Sequence, residues 1–528
     1  MEETMPTLDW IGKDKVINHH SEVPYRVLKR EYSYDEKGET IENNHSENMI
    51  IYGDNLEALK ALLPKYEGKI KCIYIDPPYN TGNEGWVYND NVNSPQIKKW
   101  LGEVVGKEGE DLSRHDKWLC MMYPRLRLLQ KLLSDDGVIF VSIDDLEVSY
   151  LRLVMDEIFG KSRFIAQLIW KSRQNKDNRN ISNVSIDHEY VLCYGTKLRG
   201  CKRKNEQYKN PDNDPRGPWT SANMVGLATA EARPNLHYDL INPDTGINYG
   251  RPVKGWRYDR NTMSKLISEN RIIWPDTPNG RPRKKQFLNE LNTEYTGYSS
   301  IIGENVYTRD GNKEQMEIWG EIVFDFPKNS MIIGELIEQA TDKTDIILDS
   351  FAGSGTTAHA VLNMNKVDGG NRKFILIEMM DYANSITAER VKRVIKGYGE
   401  DKKKIEGTGG NFSFYGLGEK LLLDNGMLNP NVELEKIREY VWYTETRTEY
   451  MSIQSGDTKY YISKYNDIAY YLYYEKERVT NLDNDFLEQI KTKADYYVIY
   501  ADLCSISEKK LQEYNITFKK IPRDIVKL

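Results

Sequence analysis

Cysteine is scarce and unpaired in this chain. Its 528 residues hold five (Cys72, Cys120, Cys193, Cys201, Cys504), none in a CxxC spacing, so neither a zinc site nor a disulfide framework is predicted. No run of about 18 or more apolar residues is present, which excludes a membrane-spanning helix. The opening MEETMPTLDWIGKDK lacks the basic-then-apolar order of a secretory signal, and a cytoplasmic protein is expected. A GxxxxGK(S/T) loop is missing as well, so any ATP-driven step would need a different polypeptide. There is no Ser/His/Asp signature of covalent catalysis, the seven histidines are scattered apart from the adjacent His19 and His20, and no repeat of fixed period occurs.

Excess positive charge is also lacking, since the net charge is −7. Local distribution matters more for a nucleic-acid partner. KSRFIAQLIWKSRQNKDNR, Lys161 to Arg179, carries six basic residues against one acid, and RPRKK spans Arg281 to Lys285. Each alone reads as a solvated face; together, in the middle third of the chain, they suggest a phosphate-contacting surface.

What is present in strength is alternation. After a polar arm, residues 1–45, MIIYGD reads as a strand, NLEALKALLPKY as a helix and KIKCIYI as a strand. KWLCMMYPRLRLLQKLL follows as a helix, GVIFVSI as a strand, DLEVSYLRLVMDEIF as a helix and HEYVLCYG as a strand. Apolar strands about thirty residues apart with helices between them predict an α/β fold, doubly wound on a mostly parallel sheet. The rhythm stops over residues 197–320, a turn-rich insert whose Trp219, Trp256 and Trp274 read as its small core. It resumes over 321–411, with SMIIGELIEQAT, DIILD, GTTAHAVLNMN and RKFILIEM. Residues 412–528, tyrosine-rich and then strand, helix, strand, are expected to form a small α/β C-terminal domain serving dimerisation or partner docking.

Two strand ends carry chemistry. CIYIDPPY stops a buried strand with an acid, two prolines and a tyrosine, more breakers than a turn needs. DIILDSFAGSGTT is a strand, a glycine turn and a helix; Gly353 and Gly355 let backbone approach a ligand, and Glu378 ends the next strand where doubly wound folds place an acid on a ribose. The pyrophosphate fingerprint GxGxxG is incomplete, so a nucleoside cofactor is favoured over a dinucleotide. If the two strands are neighbours, both motifs face one crevice.

DPPY together with FAGSG resembles the amino-methyltransferases of DNA. The order, catalytic motif before cofactor glycines, resembles their circularly permuted beta group. IYGDNLEALKALLP, IDPPYNTGNE, LLSDDGVIFVSIDD, HEYVLCYG and LDSFAGSGTTAHAVL are similar to type III restriction-modification Mod subunits and their stand-alone relatives, over about residues 46–400. The resemblance implies a class I, Rossmann-like methyltransferase with a catalytic part at 46–196, a target-recognition insert at 197–320 and a cofactor part at 321–411. It implies S-adenosylmethionine as cofactor with no metal, double-stranded DNA as substrate, a homodimer, and a separate restriction or translocase subunit as partner.

Residue by residue, Asp76 and the Pro77 carbonyl are expected to accept the two hydrogens of a target amine. Pro77 and Pro78 hold that geometry, and Tyr79 stacks on a flipped base. The resemblance puts Asp76, Asp349, Phe351, Gly353, Gly355, Thr356 and Glu378 around the cofactor, with Lys328 and Ser330 over its methionine carboxylate. Asp54 and Asn55 match the adenine-side motif, while Asp54 also stands where a helix N-cap belongs. DNA contacts are expected from Asn80, Lys171, Arg173, Arg281, Arg283, Lys284 and Lys285. The loop NTGNEGWVYNDNVNSP is expected to order on DNA, and His188 is read as structural. Adenine N6 is the expected target; cytosine N4, an RNA or protein-glutamine substrate, and a specificity subunit without activity of its own remain rival readings.

Overall fold

In the computed structural model the described residues are 7–79, 114–177, 183–451 and 457–525. They form two compact units, one of residues 1–199 and 299–528, the other of residues 200–298.

The larger unit is built on an eleven-stranded sheet. Its strands are β1 (Arg26–Asp35), β2 (Gly38–Thr40), β3 (Met49–Tyr52), β4 (Ile70–Ile75), β5 (Leu133–Ile143), β6 (Phe164–Trp170), β7 (Glu189–Gly195), β8 (Ile301–Ile302), β9 (Ile346–Asp349), β10 (Lys373–Glu378) and β11 (Asn411–Lys420). Their spatial order is β8-β6-β7-β5-β4-β9-β10-β3-β11-β1-β2. The run from β5 to β11 is parallel throughout, whereas β7 is antiparallel to both β5 and β6. Parallel strands covered on both faces must be apolar on both faces, and in β4 Cys72, Ile73, Tyr74 and Ile75 are all at most 2% exposed.

Helices α1 (Asn55–Tyr66), α2 (Arg114–Leu132), α3 (Thr308–Trp319), α4 (Ser330–Ala340), α5 (Thr356–Asp368) and α6 (Glu389–Lys396) belong to this unit. Asp54 starts α1 by accepting from the amides of Leu56 (2.9 Å) and Glu57 (3.2 Å), a capped start that a sequence of the form Asp-Asn-Leu-Glu encodes. β4 leads through α2 to β5 on one side, and β9 leads through α5 to β10 on the other. Their shared boundary is therefore the topological switch point, where ligands of doubly wound sheets bind.

Three boundaries differ from the sequence expectation. The arm at 1–45 contributes β1 and β2 to the sheet edge. Residues 412–420, expected in the C-terminal domain, supply all but the first residue of β11, paired to β3 and β1. The insert closes at 298 rather than 320, because β8 pairs with β6 and α3 packs in the larger unit. In β1 and α3 charges spaced among few apolar residues hide the burial, whereas β8, two residues long, is too short to show a pattern.

The smaller unit holds an antiparallel three-stranded sheet of Trp219–Asn223, Arg283–Phe287 and Ile272–Ile273. Its core gathers Met224, Tyr238, Leu240, Trp256, Met263 and Leu266, with Trp274 packed against it. Beyond β11, a four-stranded sheet of Tyr461–Tyr465, Ile468–Leu472, Tyr496–Ala501 and Ile516–Lys520 has a core of its own. It is tied to the large sheet through the helix Leu434–Thr446, whose Tyr440, Val441 and Tyr443 join the main core.

Glycine is required at one turn in particular. Gly355 precedes α5 at φ +83°, and a Cβ there would lie 2.9 Å from the Thr387 carbonyl oxygen. Gly334, inside α4, has only the Met364 sulfur at 3.9 Å in reach of an added Cβ. Gly355→Ala is expected to cost about 1–2 kcal/mol, whereas Gly334→Ala is neutral or stabilising by about 0.5–1 kcal/mol. Equilibrium denaturant unfolding of the two variants separates these outcomes.

Candidate active site

At the carboxyl end of β4 the chain passes from Ile75 into Asp76, Pro77, Pro78 and Tyr79. The Trp118 indole of α2 donates to the Pro78 carbonyl at 2.6 Å; no hydrogen bond reaches the Pro77 carbonyl among the described residues. The Tyr79 hydroxyl lies 2.8 Å from Asp76 Oδ1 and 3.0 Å from Glu189 Oε2. With a single hydrogen it donates to one carboxylate at a time. It accepts from Lys328 Nζ at 2.7 Å. Lys328 Nζ in turn stands 3.1 Å from Asp76 Oδ1 and 3.1 Å from Glu189 Oε2. Burial raises the Asp76 carboxyl above its usual range and Lys328 opposes that rise. Burial also works against the charge on Lys328, but Asp76 and Glu189 hold it above the usual lysine value. The cluster is thus an ammonium held between two carboxylates, with a phenol bridging them.

β7 reaches this cluster because it runs antiparallel. Its first residue, Glu189, comes to the edge where β4 and β5 end.

Across the boundary, β9 ends in Asp349 and turns through Ser350 to Gly355. Asp349 accepts from the Phe351 amide (3.0 Å) and the Thr357 hydroxyl (2.5 Å). Glu378 accepts from the Gly353 amide (2.8 Å) and the Met380 amide (3.0 Å). Burial pushes Asp349 up to about 7, against the lowering effect of those bonds, and Glu378 up to about 8. The Thr387 hydroxyl holds the Gly353 carbonyl at 2.6 Å. Asn55 links α1 to the same turn, reaching the Ser350 carbonyl at 3.5 Å while its oxygen accepts from Arg125. Asp54 serves as the α1 cap, and Phe351 packs on the main core.

Sequence reasoning missed the residue that knits the turn together. The Arg390 guanidinium in α6, fully buried, donates to Ser354 and Thr356 (both 2.8 Å) and to Glu314 of α3 (2.6 Å). Glu314 also accepts from the Ser330 amide (3.1 Å) and hydroxyl. Ser330, expected over a methionine carboxylate, thus has its hydroxyl committed to Glu314. Thr356 donates to the Lys328 carbonyl at 3.2 Å. Glu189 too has no role in the sequence expectation, although its segment HEYVLCYG carries part of the resemblance; a carboxylate opening a strand of buried residues is the available signal.

The two strand ends share one cleft, lined among others by Tyr74, Asp76, Phe324, Lys328, Asp349 and Gly353, with about 30 Å³ of free volume. That is room for a water or two and not for a nucleoside. Lys328 fills the space, its Nζ 4.8 Å from the centre of the Tyr79 ring.

The residues expected on DNA scatter in character. Lys171 and Arg173 are exposed after β6, Arg173 pairing with Asp177 at 2.8 Å. In the smaller unit Arg281 and Arg283 are exposed, and Lys284 Nζ lies 5.4 Å from the Tyr258 ring. Lys285 differs from expectation: its side chain is 5% exposed and pairs with Asp212 (2.5 Å) and Asp214 (3.3 Å). Strand alternation puts it on the face of buried Phe287. Asn80 and the loop NTGNEGWVYNDNVNSP lie outside the described residues. His188 bonds Tyr190, which bonds Asp145. Among the described residues no cluster of side chains fit to hold a metal occurs, and no helix is long and apolar enough to cross a membrane.

The large sheet is thus doubly wound and mostly parallel, with an Asp-Pro-Pro-Tyr strand end beside a glycine turn backed by a strand-end acid. The DNA methylase family model matches residues 70–389, and the chain belongs to that family. It is 34% identical to the type III restriction-modification enzyme StyLTI Mod subunit of Salmonella typhimurium, over 70% of this chain and 57% of that protein. It is 31% identical to the EcoP15I Mod subunit of Escherichia coli, over 71% and 64%. With the type II methyltransferase M.KpnI of Klebsiella pneumoniae the identity is 33%, over 66% and 84%. The chain thus matches about three fifths of the length of the two Mod subunits. Among solved structures, the cytosine-N4-specific PvuII DNA methyltransferase overlaps 65% of this chain and 86% of its own, at 14% identity and TM-score 0.32.

The raised carboxyls predict a pH dependence. An acid whose folded pKa lies above its unfolded value adds stability that is whole below the unfolded pKa and lost as pH rises through the folded one. Asp349 and Glu378 therefore favour the empty fold at about pH 4 and cease to by about pH 8. Buried His20 and His359, whose pKa values are lowered, act in the opposite sense up to about pH 6.5, so the test is a difference: thermal unfolding is expected to show the Tm of Glu378→Gln gaining on that of the unaltered protein from pH 4 to pH 8.

Proposed function

We propose that this chain transfers a methyl group from S-adenosylmethionine to the exocyclic amine of a base in DNA, as the modification component of a restriction-modification system, with adenine N6 as the target. The observation that carries the reading is the pairing of β4 with β9, Cys72 with Ile347 and Ile73 with Leu348. It sets Asp76 beside the turn of Gly353 and Gly355. The Mod subunits among its relatives support the biological setting. Asp at the first position of the DPPY motif favours adenine over cytosine N4.

The turn fits a nucleoside cofactor. Gly353 and Gly355 sit at φ +51° and +83°, Glu378 closes the next strand, and the Ser350 hydroxyl is buried without a hydrogen-bond partner among the described residues. When bound, S-adenosylmethionine supplies an electrophilic methyl on a cationic sulfur, so no metal or covalent nucleophile is required. Asp349 and Glu378 would help to hold the cofactor, Glu378 through lone pairs left for ribose hydroxyls. The chain's work on the other side is to localise the amine lone pair, which a base delocalises into its ring. Asp76 and the Pro77 carbonyl accept one amine hydrogen each and favour the pyramidal nitrogen of the transition state. The two prolines hold those acceptors in place, so little reorganisation is needed. Access requires the base to leave the duplex, and Tyr79 offers it a ring once Lys328 has moved.

Incubation with labelled S-adenosylmethionine and duplex DNA, followed by nucleoside analysis, is expected to place label in N6-methyladenine. Label in N4-methylcytosine would move the target, and label only in RNA or protein would end the DNA reading. Asp76→Ala is expected to lower transfer by about 10³-fold or more, in line with loss of a transition-state contact, while cofactor binding persists. Cofactor binding near pH 7 is further expected to release protons, because a cation ionises carboxyls held at about 7 and 8; calorimetry in buffers of different ionisation enthalpy reads this directly.

A further inference from the structure

We propose that Glu189 is a positioning residue that neutralises Lys328, so that Asp76 faces the target amine with an uncompensated negative charge. The inference rests on the methyl-transfer reading above and assigns a role to a residue outside both sequence motifs.

Among the described residues the cluster holds three formal charges: carboxylates on Asp76 and Glu189 and the ammonium of Lys328, a sum of −1. Lys328 Nζ is equidistant from the two carboxylates at 3.1 Å, and the Tyr79 hydroxyl touches both. All three charged side chains are at most 19% exposed, so water screens them little and the sum matters. Were Lys328 paired with Asp76 alone, the pair would be neutral, and the acceptor of the amine hydrogen would already be satisfied. Glu189 gives the ammonium and the phenol a second anchor. They can swing toward it, which frees Asp76 for the amine while the ammonium keeps a carboxylate partner.

The reaction needs that balance. As the amine lone pair forms the new N–C bond and the C–S electron pair returns to sulfur, positive charge grows on nitrogen. The methylated nitrogen carries it until one of its hydrogens leaves as a proton to the Asp76 carboxylate and onward to solvent. A site of net −1 stabilises this charge, whereas a neutral site with an ammonium 3 Å from the acceptor opposes it.

The test uses the full chain with its cofactor and target DNA. Glu189→Gln, close in shape, brings the cluster to zero; kcat at saturating S-adenosylmethionine is expected to fall on the order of 10- to 100-fold, while equilibrium binding of S-adenosylmethionine and of duplex DNA stays within about threefold. The double variant Glu189→Gln with Lys328→Met leaves Asp76 as the one ionisable group of the three with nothing opposing the effect of burial on it, so the comparison is made at about pH 9, where its kcat is expected to exceed that of Glu189→Gln by about tenfold. Glu189→Asp keeps the charge and is expected to retain most of kcat. A double variant no faster than Glu189→Gln, a Glu189→Gln enzyme at the wild-type rate, or loss of cofactor binding or folding in Glu189→Gln would each overturn the assignment, the last by showing a structural role. Absence of transfer by the unaltered protein would instead end the parent reading.

Discussion

Everything at the site depends on one short parallel pairing. β4 and β9 meet through Cys72 with Ile347 and Ile73 with Leu348, two register positions joining segments some 270 residues apart. No local preference fixes such a contact; it is selected because both strands are apolar on both faces and have no place except the middle of a covered sheet. Their carboxyl ends then coincide, and the sheet reverses its order of connection at that boundary, opening the crevice. The motifs on either side are potent only as neighbours. A register slip of one residue would turn every side chain of the strand to the opposite face.

The second layer of order is the buried guanidinium of Arg390. It gathers Ser354 and Thr356 from the turn and Glu314 from α3, while Glu314 holds the start of α4 through Ser330. A buried charge stripped of one partner is costly, so these elements are locked as a unit. Lys328 stands two residues before α4 and its carbonyl accepts from Thr356, so the glycine turn and the lysine beside Asp76 are held by one network.

Much of this was legible in the sequence, and the reasons are physical. Strands such as CIYI and ILIE are read because burial on both faces leaves unbroken apolar runs, and α1 because Asp54 announces its start. Charged strands were not legible: β1, with Arg26, Lys29, Arg30 and Glu31, looks solvated until β11 is seen to pair with it. The basic run at 281–285 shows the limit of composition. Arg281 and Arg283 are exposed as a charge cluster suggests, but Lys285 points inward to Asp212 and Asp214, carboxylates some 70 residues away that no local pattern links to it. Glu189 escaped for the same reason. Its partner Lys328 is 139 residues distant, and only the antiparallel course of β7 brings the two together.

Under the proposed methyl transfer, the contacts among Asp76, Tyr79 and Lys328 follow from the burial that such chemistry would require. A carboxylate placed in a dry site with no counter-charge becomes protonated, and a protonated Asp76 is a poorer acceptor. Lys328 opposes that effect of burial on Asp76. The same contact then competes with the amine, and since the binding-competent state is one with Lys328 displaced, apparent affinity for the base is reduced by the fraction of molecules in that state. A lone lysine would make the reduction severe, because moving it away would leave two buried charges unpaired. A second carboxylate at the same distance changes the problem: the ammonium moves between equivalent partners and is never bare. The two equal distances at Lys328 are therefore the geometry expected of a site that must hold an acid charged and also release it.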